Sequence, residues 1–173
     1  MLIRNYGLFW KRENVHWGYG GHLQGVTARG SSNNLVDFRE QQGVYILYDN
    51  SFRLVYVGQA GGGESQRLFV RLKQHRNDHL ADRWQLFSWY GINTVNLNGT
   101  LRVEKMAAHV DIGTVLNHIE AILIYAAEPP HNRQGGRFGE EVQQYFQHRD
   151  EASLGPSENE MVKRLYAKMM RDE

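Results

Sequence analysis

The fold turns on the stretch Gly43-Val44-Tyr45-Ile46-Leu47-Tyr48-Asp49-Asn50-Ser51-Phe52-Arg53-Leu54-Val55-Tyr56-Val57-Gly58. Its first half is β-branched and aromatic, a composition that suits a pleated, half-buried strand. Asp49-Asn50-Ser51 is turn chemistry, because Asp and Asn side chains bond their own backbone. Leu54-Val55-Tyr56-Val57 is strand-like again, so residues 43–58 read as a β-hairpin. Side chains alternate along a strand, which puts Tyr45 and Leu47 on one face and Val44, Ile46 and Tyr48 on the other.

Downstream, Gln59-Ala60-Gly61-Gly62-Gly63 reads as a loop. The spacing of Leu68, Phe69, Leu72 and Leu80 predicts a helix over about 65–80. Arg67, Arg71 and His75, four apart, form a second stripe on it. Residues 84–92 are aromatic and predict a third strand, and Asn98-Gly99 predicts a turn. A second helix is expected from 111 or 114 to about 128, with Leu116, Ile119, Ile122, Leu123 and Ala126 as its core face. Pro129-Pro130 would stop it, since proline cannot extend a helix. A helix over about 139–148 is expected next. Ser157-Glu158-Asn159-Glu160 is a capping-box pattern opening a last helix, 158–171. Upstream, Trp10, Trp17, Tyr19 and Phe38 are interspersed with Gly18, Gly20, Gly21, Gly25 and Gly30. Glycine is costly in helix interiors, so residues 1–40 read as irregular structure or a short hairpin.

The 173 residues fit one domain with extensions. The chain has no cysteine, which excludes disulfides, Cys-ligated zinc, iron–sulfur clusters and thiol catalysis. No apolar run approaches the ~18–20 residues of a membrane span. Residues 1–5 lack the basic and apolar regions of a signal peptide, so a cytoplasmic location is expected. The net charge of +1 argues against a nucleic-acid partner only as an average. Residues 140–173 hold five basic and eight acidic side chains, and residues 1–139 hold 15 and 11. Within 67–83, Arg67, Arg71, Lys73, Arg76 and Arg83 face only Asp78 and Asp82. This suggests a compact basic cleft.

The candidate chemical residues each have a plain reading too. Glu120 lies inside an apolar helix, where an unpaired carboxylate is expensive. It should be paired, protonated, metal-bound or at an open edge. The plain reading is a salt bridge to an arginine, and the sharper one is a ligand for a hard divalent cation, which favours oxygen donors. Arg71 and His75, at i and i+4, are a solvated basic face or a joint phosphate site. His75 and His79 have the spacing of a metal pair, without a third ligand in view. Glycines 61–63 before a helix are a flexible turn or a phosphate cradle, and lack the Lys-Ser/Thr of a P-loop.

Taken in order, Gly43-Val44-Tyr45, Tyr56-Val57-Gly58, Arg71-x3-His75, Glu120 and Asn132 resemble the GIY-YIG nuclease family. The resemblance covers about residues 41–133, with Val replacing Ile in both tripeptides. It implies an α+β, sandwich-like domain with a small antiparallel three-stranded sheet flanked by helices. Residues 1–40 and a helical 134–173 would be extensions to it. It also implies a DNA endonuclease that hydrolyses phosphodiester bonds with a single divalent cation, Mg²⁺ or Mn²⁺. Glu120 then matches the metal ligand, Arg71 the phosphate clamp, and Asn132 the residue closing the site. Tyr45, Tyr56 and His75 match the positions that activate or orient water, with a tyrosine favoured as base. That tyrosine would need positive charge nearby to lower a pKa that is ordinarily near 10. Arg67, Lys73 and Arg76, with Gln59 in the preceding loop, are the expected nucleic-acid contacts. A double-strand cut needs two successive nicks or two protomers, so a homodimer is one expectation. The rival reading is a catalytically idle nucleic-acid- or protein-binding module on the same scaffold.

Overall fold

The computed structural model describes residues 2–27, 35–61, 66–102, 112–128, 135–136 and 138–170. The strands are β1 (Asn5–Lys11), β2 (Gln24–Thr27), β3 (Val36–Asp37), β4 (Gly43–Tyr48), β5 (Leu54–Ala60), β6 (Leu86–Gly91), β7 (Thr94–Val95), β8 (Leu101–Arg102) and β9 (Gln143–Gln147). The helices are α1 (Leu68–Gln74), α2 (Ile112–Ala127), α3 (Glu151–Leu154) and α4 (Glu158–Met169). The chain is α+β, but its sheet is not the small three-stranded one expected. Seven strands pair in the order β3-β2-β9-β1-β6-β4-β5, and β7 and β8 form a separate two-stranded sheet.

The expected strands are present as β6-β4-β5, at one end of the larger sheet. The rest comes from both supposed extensions. β1 pairs antiparallel with β6 on one side and parallel with β9 on the other. Residues 1–40 were expected to be irregular or a short hairpin, yet Asn5–Lys11 is a strand with Gly7 inside it, and a Cβ at Gly7 would meet the Trp10 and Trp89 indoles at 2.5 Å. That glycine makes room for tryptophan packing rather than breaking the strand. Residues 143–147 are strand β9, not the helix expected over 139–148. Their three glutamines hide an alternation in which Tyr145 is buried and Phe146 exposed.

Alternation sorts the two faces as the hairpin reading requires. Tyr45, Leu47, Phe87, Trp89, Trp10 and Tyr145 join Leu68 and Leu72 of α1 in one core cluster. Ile46, Tyr48, Leu86, Tyr90 and Tyr6 join Ala121 of α2 in another. The sheet thus lies between α1 and α2. Fully burying each large apolar side chain contributes about 1.5–3 kcal/mol, and the aromatic residues dominate both layers.

α1 ends at Gln74, with turns rather than helix bringing Leu80 back into the core. α2 turns a different face inward than expected. His118 and Ala121 are buried, and Ile122, Tyr125 and Ala126 pack on the second cluster. Leu116, Ile119 and Leu123 are exposed. Apolar residues ring this helix on nearly every side, so their periodicity does not select the inward stripe. What does select it is specific. The His118 Nδ1 accepts the Ile3 backbone N–H at 3.0 Å, and its Nε2 donates to the Phe138 carbonyl at 2.9 Å. α4 opens with the expected capping box between Ser157 and Glu160. Among the described residues, no helix is long and apolar enough to cross a membrane.

Candidate active site

The hairpin and α1 bring four of the anticipated residues together at the edge of the sheet. Tyr45 is fully buried, and its hydroxyl lies 2.8 Å from Nε2 of His75. His75, also buried, closes α1, and its Nδ1 lies 2.7 Å from Oδ2 of Asp78. A carboxylate only accepts, so Nδ1 carries the imidazole proton and Nε2 accepts from the Tyr45 hydroxyl. The Tyr56 ring sits 4.8 Å from the His75 ring and 6.2 Å from that of Tyr45. Arg71, one turn before His75, is half-buried, and its Nη1 donates to Gln74 Oε1 at 2.6 Å.

Both tripeptide glycines have a steric cause. Gly43 has φ +148°, and a Cβ there would stand 1.9 Å from the Tyr90 carbonyl oxygen. Gly58 lies opposite Tyr45 in the β4–β5 register. A Cβ there would fall 2.4 Å from Cζ and Oη of Tyr45 and 2.7 Å from Cε1 of Tyr56. The two tyrosines can converge on His75 because this position has no side chain.

Burial pushes the Tyr45 phenol up to about 12, with the neighbouring Arg71 pulling the other way and Tyr56 adding to the rise. Positive charge therefore does not win here, and Tyr45 is a neutral hydroxyl rather than a ready phenolate. Partial desolvation works against ionised Asp78. The Leu80 N–H and His75 outweigh it and hold the carboxyl below its usual range. The Leu80 N–H bonds the other Asp78 oxygen at 2.8 Å. Asp78 was not singled out in the sequence. The available signal is an acidic residue three positions after His75, where the C-terminal turn of a helix folds it back.

Glu120 is not brought to this cluster. It lies exposed on α2, beyond the opposite face of the sheet, and forms no ion pair with a described residue. The cost argument that singled it out does not apply to an exposed carboxylate. Among the described residues, no three His, Asp or Glu side chains are placed to hold a metal. A cation held by Glu120 at the tyrosine centre does not fit this arrangement. His79 is exposed, and His75 is committed to Tyr45 and Asp78, so the two do not form a metal pair. Asn132 lies outside the described residues, as do glycines 62 and 63.

The expected nucleic-acid contacts divide. Gln59 is exposed on β5 and Lys73 is exposed on α1. Arg67 is mostly buried, 3.9 Å from Glu40. Arg76 lays its guanidinium over the Trp17 ring, 4.8 Å from the centroid.

No family model matches the chain, and neither does any curated protein or solved structure.

Proposed function

We propose that the chain is a cytoplasmic nuclease that hydrolyses DNA phosphodiester bonds at the edge formed by β4, β5 and α1. What supports the reading is the hydrogen-bonded chain Tyr45–His75–Asp78, with Tyr56 and Arg71 beside it. Hydrolysis requires water to lose a proton as its oxygen bonds to phosphorus. It also requires the growing negative charge to be offset while the bond to the leaving oxygen breaks. Arg71 is always charged, and its planar fork matches phosphate oxygens. Tyr45 and His75 are enclosed, so the reacting water meets half-buried Tyr56 and Arg71 first. Its proton passes inward through the hydroxyls, with Tyr45 handing its own to Nε2 of His75. Asp78 fixes the tautomer and stabilises the imidazolium that forms. The terminal base is then His75, not a tyrosine. The departing oxygen takes the proton of the imidazolium, directly or relayed by a water, which restores the site.

The rival reading, a binding module without catalysis, is favoured by the enclosure of Tyr45 and the distance of Glu120 from it. One assay separates them. Supercoiled, linear and single-stranded DNA are incubated with the chain in Mg²⁺, in Mn²⁺ and in EDTA. Nicks under any of these conditions support the nuclease, and binding without cleavage in all of them supports the module.

A further inference from the structure

α1 and the turn that follows it have a second flank, away from the one that holds Arg71 and His75. Phe69, Lys73 and Arg76 point there, toward the glycine-rich segment 16–21. Trp17 stacks on Phe69 with ring centroids 5.5 Å apart and planes at 25°. The Arg76 guanidinium covers Trp17, and the Lys73 ammonium lies 5.9 Å from the centroid of Phe69. The Trp17 indole N–H donates to the Arg12 carbonyl at 3.0 Å, which fixes the ring. Gly21 lets the loop sit close on the helix, since a Cβ there would meet Phe69 Cζ at 2.4 Å. Beside this ladder Tyr19 is 103% exposed, between Gly18 and Gly20, and Gly20 turns the chain at φ +70°.

An exposed ring beside fixed aromatic rings and two cations is what a base with a free π-face and its adjoining phosphates require. We propose that Tyr19, carried on the segment that Trp17 anchors against Phe69 and flanked by Lys73 and Arg76, is a stacking subsite for an unpaired nucleobase of the DNA substrate. A helix with its side chains is ~10–12 Å across, and a strand advances about 3.4 Å per nucleotide in duplex DNA and further when unpaired. The subsite therefore engages a base within about three nucleotides of the bond held at Arg71. It would select substrates that are single-stranded or frayed on one side of the cut. This inference rests on the nuclease reading.

The test uses Tyr19→Ala and Tyr19→Phe in the full chain, with binding read before the labelled DNA is cut. Tyr19 touches solvent on all sides, so neither change threatens the fold. Fluorescence anisotropy reads the affinity for a labelled single strand and for a blunt duplex. Tyr19→Ala is expected to weaken single-strand binding about tenfold, within the range for loss of one stacked base. Tyr19→Phe should stay within about twofold of the parent, as should duplex binding by either variant. The salt dependence should not change, because no charge is removed. Unchanged single-strand affinity in Tyr19→Ala, with a parent that binds, overturns the subsite and leaves the nuclease reading standing. A parent that binds neither DNA overturns both.

Discussion

Gly58→Ala places a methyl group where the two site tyrosines meet. The new Cβ would lie 2.4 Å from the Tyr45 ring carbon and hydroxyl, against an ordinary contact of 3.4–4 Å. Something must move by about 1 Å. Tyr45 cannot retreat freely, because it is fully buried and its hydroxyl is held by His75 at 2.8 Å. Tyr56, 2.7 Å away at Cε1, is half-buried and has more room to yield. Overpacking of this kind costs about 1–3 kcal/mol. In a domain of this size that lowers Tm by roughly 2–12 °C. The accompanying loss should be the bond from Tyr45 to His75. Thermal melts give the first effect, and the ¹⁵N shifts of the His75 imidazole give the second. Gly61→Ala is the control, since no described residue lies within 4 Å of a Cβ there, and it should change Tm little. Gly58→Ala with an unchanged Tm and unchanged His75 shifts would refute the convergence of tyrosines described for this site.

Three further outcomes follow from the geometry. Asp78→Asn no longer fixes the proton on His75 Nδ1, and cleavage should fall by about 10²-fold, the scale of general acid–base contributions; a rate within twofold of the parent would remove Asp78 from the relay. Glu120→Gln should leave cleavage within about twofold, because Glu120 is exposed beyond the other face of the sheet; a loss of about 10² would show that α2 reaches the tyrosine centre in the working protein. Burial also raises Tyr6, Tyr48, Tyr90 and Tyr145. A folded pKa above the unfolded one contributes stability below about pH 10, and that contribution disappears as pH climbs through the folded value. For Tyr45 the window is from about 10 to about 12, worth roughly 3 kcal/mol at 1.4 kcal/mol per pKa unit. Urea midpoints should fall steeply across it, and a flat profile from pH 9 to 11.5 would contradict the burial of these phenols.

The parts legible in the sequence were those where one local pattern has one structural solution. The hairpin alternation placed Tyr45 and Leu47 on a common face, as found. The four-residue spacing put Arg71 and His75 on one side of α1, and the capping box at Ser157 forms. What was not legible depends on partners distant in sequence. β1 sits between β6 and β9, and β9 arrives more than 130 residues later. Its glutamines are indifferent to helix or strand until β1 and β2 offer edges to pair with. α2 is apolar on too many sides for periodicity to orient it, and the His118 bonds to Ile3 and Phe138 settle the matter. Glu120 looked buried for the same reason. The glycines of the two tripeptides were legible as markers, but their cause, collision with Tyr90 and Tyr45, is a cross-strand fact. The raised Tyr45 phenol was not legible either, because burial depth cannot be read from a neighbouring positive charge.

The central claim is that a proton passes from Tyr45 to His75 during phosphodiester hydrolysis. Its most direct test is the single-turnover rate of plasmid nicking by Tyr45→Phe, with the protein saturating and in excess over DNA. The change keeps the buried ring and removes only the hydroxyl that faces Nε2 of His75. The account predicts a fall of about 10²-fold or more in rate with DNA affinity unchanged. A Tyr45→Phe variant that nicks at the parent's rate would contradict it.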